Sequence, residues 1–245
     1  MNQMKIKKLY TLMKKDIITC FTDINILIMI AMPVLFCIFY TMIMTVTGSG
    51  YILMLCSLFN LSITPVCILP ALIADEKDKG TLITLYRAGV RNREFICAKM
   101  GTVIIITLII AGSMFWTTRA NTQSFFIYLI LNLIVSAALL PAGAIVAVLA
   151  KDQISANVYS TSLVLIFMAC PALSVESDVC KQFSKILPTN VIVEILFHNE
   201  KEAVLFTRDG LISILVCFLW FVLETLIFLY LYKRKGIGLD HRAQS

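Results

Sequence analysis

The residue best placed for unusual chemistry in this 245-residue chain is Glu224, set in the apolar run Phe218-Leu-Trp-Phe-Val-Leu-Glu-Thr-Leu-Ile227. An acid in such surroundings is expensive to ionise and tends to be functional. Two readings are open. The carboxyl is a site for a proton, a cation or a cationic substrate group. Alternatively it is a neutral or hydrogen-bonded structural acid facing Asn60, Thr64 or Asn132. A second polar set, Ser155, Asn157, Tyr159, Ser160, Thr161 and Ser162, shares another apolar run. Small hydroxyl residues suit close helix packing. The other reading is a polar substrate path drawn from Asn60, Asn157, Ser160, Thr161 and Glu224, or a seam between two copies.

Other chemistries lack their residues. The eight cysteines (Cys20, Cys37, Cys56, Cys67, Cys97, Cys170, Cys180, Cys217) form no C-x-x-C pair. Most lie in apolar runs, where cysteine behaves as a small hydrophobe. A Cys170–Cys180 disulfide is conceivable on spacing. The two histidines, His198 and His241, are far from any cysteine cluster, so no metal site is expected. There is no Gly-Lys dipeptide and hence no P-loop, no H-E-x-x-H and no nucleophile elbow. The expectation is a chain without catalytic residues or a cofactor of its own.

The elements that carry these residues follow from composition. Hydrophobic residues make up 59% of the chain and charged residues 15%, against roughly 45–50% and about 25% in soluble domains. Crossing a bilayer takes roughly 20 apolar residues in a helix. Six stretches qualify: 24–46, 51–74, 95–116, 125–149, 154–173 and 211–232. The third starts at Phe95 with Lys99 snorkelling to the interface. The fold class is therefore an all-α integral membrane protein, a single transmembrane domain over 1–245. Of the 21 Lys and Arg residues, 16 fall on the side that holds both termini. That bias predicts a multi-pass protein with both termini cytoplasmic, in a bacterial cell membrane. The net charge of +6 then serves topology and contact with anionic membrane lipid, not nucleic acid. The long first run lacks a small-residue cleavage site, so no cleaved signal peptide is expected.

Three segments outside the spans are structured. Met4–Phe21 reads as an amphipathic interfacial helix, with Ile6, Tyr10, Met13 and Ile17 at helical spacing and lysines on the flanks. After the second span comes Asp75-Glu-Lys-Asp-Lys-Gly-Thr81, then a short helix, Leu82–Arg87, capped by Thr81 and ended by Gly89. A further helix begins near Asn92. Before the last span, Phe183–Phe197 is too short to cross and is broken at Pro188. It reads as a helical hairpin dipping into the outer leaflet, with Pro188 and Glu194 among its marked residues.

Laid out in this order, the chain resembles the permease subunits of ABC-2 type ABC transporters over nearly its whole length. The specific residues are Glu76, Gly80-Thr81-Leu82, Leu85, the turn at Gly89-Val-Arg91-Asn-Arg93, and Lys99 entering span three. Ala88-Gly89 stands where many members have proline. The resemblance implies that Thr81–Ala88 is a coupling helix docking on a separate ABC ATPase subunit. Glu76, Gly80, Thr81, Leu82, Leu85, Arg87, Arg91, Arg93 and Lys99 then form the coupling set. It implies a dimer with a second permease copy or paralogue, ATP and Mg bound on the partner subunit, and export. Drugs, antimicrobial peptides or bacteriocins are the expected substrates, with a lipid-linked glycan as the alternative. The rival of another class is a proton-coupled secondary transporter working through Glu224, which predicts an inverted repeat.

Overall fold

The computed structural model describes residues 2–44, 48–119, 125–175, 177–196 and 208–235, and among them there are helices and no strands. In chain order the helices are α1 (Asn2–Thr22), α2 (Ile24–Ile43), α3 (Ser49–Ile63), α4 (Leu69–Asp78), α5 (Thr81–Arg87), α6 (Asn92–Thr118), α7 (Phe125–Leu149), α8 (Gln153–Leu173), α9 (Asp178–Ser184), α10 (Asn190–Leu196) and α11 (Arg208–Lys235). Among the described residues, six helical stretches are long and apolar enough to cross a membrane: Ile24–Ile43, Ser49–Asp78, Asn92–Thr118, Phe125–Leu149, Gln153–Leu173 and Gly210–Arg234. The expected first span, 24–46, runs past the end of α2 at Ile43, and its last two positions, 45–46, lie outside the described residues. The second and third spans extend further toward the charged connection than composition indicated.

Local chemistry sets the breaks. Asp23 separates α1 from α2 in an extended conformation, and its carboxylate accepts from the amides of Asn25 and Ile26. This satisfies donors that a helix start leaves open. The second span continues through a π-helical turn, Thr64–Ile68, at Pro65. Proline has no N–H to give the preceding turn, and one wider turn absorbs the defect. Around α5 the chain reverses at Gly80 (φ 65°) and Gly89 (φ 77°), left-handed positions that favour glycine. A backbone hydrogen bond from Arg91 to the Glu94 carboxylate at 3.2 Å starts α6. Asp152 caps α8 through the amide of Ser155 at 2.7 Å.

The second span is the axis of the bundle. Its apolar window is 78% buried, against 17% for each of the first and last spans. Helices α2, α8 and α11 therefore turn Ile28, Phe39, Leu165, Phe218 and Leu226 outward. In water such a surface would be a liability; against hydrocarbon it is the expected one. At one end of the bundle, Cys20, Ile26, Leu72, Leu82, Phe95 and Val103 pack together. At the other, α10 buries Val191 and Ile192 among Met54, Leu58, Val135 and Phe167.

A candidate functional site: the charge junction of α1, α4, α5 and α6

The sequence places Lys99 one helical turn after Phe95, on the face of α6 that meets α1 and α4. Its side chain is 2% exposed. Nζ donates to Asp16 Oδ1 at 2.7 Å and to Glu76 Oε1 at 2.8 Å, and lies 5.1 Å from the centre of the Phe95 ring. Lys15 donates to the same Glu76 oxygen at 2.9 Å. The other carboxylate oxygen of Glu76 accepts from the Thr81 hydroxyl at 3.2 Å. Two acids and two lysines thus neutralise one another, and three helices and the first residue of α5 converge on one carboxylate.

This geometry corrects two expectations. Lys99 does not snorkel to the interface, because Asp16 and Glu76 supply a paired interior site. Thr81 does not cap α5 with its hydroxyl, since that group turns back to Glu76, donating also toward the Glu76 carbonyl at 3.4 Å.

Helix α1 meets the bundle through a narrow face. Leu12, Asp16 and Cys20, spaced four apart, are buried, and Met13 closes on Gly101. Tyr10 and Phe21, part of the expected apolar stripe, are turned outward with Ile18. Asp16 is therefore an acid on the packed face. Burial pushes its carboxyl above the ordinary value of 3.8, and Lys99 offsets part of that rise. Its Oδ2 has no hydrogen-bond partner among the described residues. Lys8 adds a further tie from α1, donating to the Gly89 carbonyl at 3.2 Å.

The neighbouring charges serve a second junction. Lys77 donates to the carbonyls of Ala147 at 2.6 Å and Ala150 at 3.0 Å, at the end of α7. Asp78 accepts from the amide of Gln153 at 3.1 Å, where α8 begins. A cation at a helix C-terminus and an anion at an N-terminus both complement the backbone dipole. Lys79 pairs with Asp75 one turn back at 2.8 Å. The crowding of charge in Asp75–Lys79 is thus resolved: each of these five side chains has an oppositely charged or backbone partner.

The remaining coupling-set residues divide by exposure. Leu82 is buried and Leu85 half-buried, while Arg87, Arg91 and Arg93 face outward. The structure brings Glu76, Thr81 and Lys99 into one contact set, with Gly80 and Leu82 beside it. Sequence reasoning missed Asp16 and Lys15 as parts of it, and Lys77 and Asp78 as the ties to the α7–α8 connection. A signal existed for one of them: Asp16 falls in register with Leu12 and Cys20.

The residues considered for a substrate path are not gathered. Asn60 is buried and donates to the Thr107 carbonyl at 3.2 Å, while accepting from Thr64 at 2.7 Å. Ser160 donates to the Val66 carbonyl of the π turn at 2.8 Å. Thr161 is exposed and bonds the carbonyl of Asn157 in its own helix. Glu224 of α11 is buried against α7, with the Ala142 backbone beside its carboxyl. Asn60, Thr64 and Asn132, the partners considered for it, bond elsewhere; Asn132 donates to the Tyr128 carbonyl.

At the far end, Thr189 donates to the Phe167 carbonyl at 2.8 Å, and Ser184 bonds Asn190. The Pro188 carbonyl accepts from Cys217 at 3.0 Å, and that of Ile186 from Trp220 at 2.6 Å. The helix break falls at Pro188 as expected, but the first arm starts at Asp178, earlier than Phe183. Glu194 is half-buried on α10. Cys170 and Cys180 are free thiols. His198 and His241 lie outside the described residues. Among the described residues no three His, Cys, Asp or Glu side chains are grouped so as to hold a metal ion.

No model of a known protein family matches the chain, and no curated protein matches it significantly.

Proposed function

We propose that the chain is the membrane-spanning permease subunit of an ATP-driven exporter of the ABC-2 kind, powered by a separate ATPase subunit. The observation that carries this reading is the fastening of α5. One end of this seven-residue helix is tied through Thr81 and Glu76 to Lys99 at the start of the third span and to Asp16 and Lys15 of α1. Its exposed Arg87, with Arg91 and Arg93 in the turn beyond, is placed to meet acidic groups on a partner. A push on α5 is then delivered to the second and third spans and to α1 together, because their shared charges are buried and cannot separate cheaply. A solvated loop serving topology alone has no need of such an anchor.

In this reading both termini and the charge junction lie on the cytoplasmic side of the cell membrane, and α1 rests in the headgroup plane. Helices α9 and α10 form the outer re-entrant hairpin, of which α10 is the arm packed within the protein and α9 the exposed one. Two permeases, identical or paralogous, enclose the path; ATP and Mg belong to the ATPase. Drugs, antimicrobial peptides or bacteriocins are the proposed cargo, since the outer connections leave no domain for a large polymer.

The test is purification of the chain from its native membrane in mild detergent, with mass spectrometry and an ATPase assay. Recovery of a stoichiometric ATPase, lost in Arg87→Glu/Arg91→Glu while the chain stays monodisperse, supports the assignment. A chain that purifies alone, with no linked ATPase, overturns it and puts the proton-driven transporter first.

A further inference from the structure

The buried acid of α11 is not used by the coupling junction, and its surroundings are specific. Glu224 lies about 21 Å along the helix from Gly210 and about 15 Å from Arg234, well inside the span Gly210–Arg234. It is 3% exposed although its neighbours Leu223, Leu226 and Ile227 face outward. It points at α7 beside Pro141, which stands inside that helix. The Ala142 amide lies beside the carboxyl, and Oε2 has no partner among the described residues. Next to that amide, Gly143 lets α7 approach the Pro65 carbonyl so closely that a β-carbon would collide with it.

Among the described residues no cation faces this carboxyl. Helix α7 carries no Lys, Arg or His, and its one ionisable side chain, Tyr128, is bonded to Ser57 at 2.8 Å, well over two turns away. On the α10 side the ionisable group is Glu194, an acid. On α11 itself, Cys217 is committed to the Pro188 carbonyl and Tyr232 to Asn92. A carboxylate here would be buried against one amide. Pro141 has no N–H to offer the Ala137 carbonyl one turn earlier, so the helix facing this carboxyl carries a gap in its own hydrogen-bond ladder.

We infer that Glu224 is an intramembrane proton-binding site, held as the neutral acid while α11 packs on the Pro141 kink of α7. Its proton is released when the two helices part and water reaches Oε2. The inference rests on the six apolar helices and is independent of whether ATP drives the protein.

Infrared spectroscopy of the purified full chain in lipid vesicles at neutral pH tests it. The expected result is a protonated-carboxyl carbonyl band that shifts on 13C-carboxyl labelling of the seven glutamates and vanishes in Glu224→Gln. Alkaline titration should remove the band while deuterium exchange across 137–143 accelerates. Absence of any glutamate band at neutral pH in the labelled wild type, which needs no variant to fold, overturns the site. A band that persists in Glu224→Gln assigns the proton elsewhere and overturns it equally. A band that titrates without faster exchange overturns the link to helix separation.

Discussion

The ammonium of Lys99 sits 2.8 Å from Glu76 Oε1 with 2% and 5% of the two side chains exposed, although 22 residues and two glycine turns separate them in the chain. Because Glu76 also receives Thr81 and Lys15, this pair connects the second span, the third span, α1 and α5 at one point. The energetics of buried ion pairs make that point stiff: removing one member strands the others in low dielectric.

Lys99→Met should therefore lower stability by about 3–5 kcal/mol, the usual cost of leaving buried charge unpaired. Replacing all three members together (K99M, D16N, E76Q) should recover most of the loss. Thermal midpoints of the monodisperse protein in detergent check both. Equal stability of K99M and wild type would sink the assignment of the junction as an anchor.

Asp16 gives the junction a pH dependence of known sign. Burial, partly offset by Lys99, raises its folded pKa above 3.8, so the folded state holds the proton more tightly than the unfolded chain. Its contribution to stability is fully present below 3.8 and is lost as pH climbs through the raised folded value. Asp16→Asn should flatten that part of the stability–pH curve. Denaturant titrations of both proteins over this acidic range provide the measurement.

Gly143 meets the Pro65 carbonyl, a backbone atom that cannot rotate away. Gly143→Val should cost about 1–3 kcal/mol as an overpacked contact. Gly112→Ala is the control, because its added carbon meets nothing closer than 3.9 Å, and it should leave stability unchanged or slightly raised. Comparable losses at both sites would mean that the π turn and α7 are not in contact.

The clasp on the α7–α8 connection should be separable from the junction. Lys77→Met and Asp78→Asn each remove a charge that complements a helix end, worth about 0.3–2 kcal/mol. Hydrogen exchange should quicken at Gln153 in Asp78→Asn and leave the amides of α6 unchanged. Uniform quickening across the chain would instead indicate global destabilisation.

Much of the helical architecture was legible because its causes are local. Runs of apolar residues of bilayer length mark the six long helices, and Gly80 and Gly89 mark the turns around α5. Each of these depends on the residue and its near neighbours. The break at Pro188 was legible for the same reason, since proline acts on the turn that contains it.

The partners of the charges were not legible in that way. Asp75-Glu-Lys-Asp-Lys79 reads as one charge cluster, yet its members serve three different contacts. Glu76 meets α1 and α6, Lys77 and Asp78 meet the α7–α8 connection, and Asp75 holds Lys79. Likewise the apolar stripe of α1 suggested which side packs, whereas Leu12, Asp16 and Cys20 do so and Tyr10 and Phe21 face out. The sequence by itself determined that the chain is helical, apolar and punctuated at definite points. Tertiary structure alone decided that Lys99 is an interior ion-pair partner and that Glu224 faces the Pro141 kink. A buried charge is satisfied by whatever the packed neighbours present, and those neighbours come from distant parts of the chain.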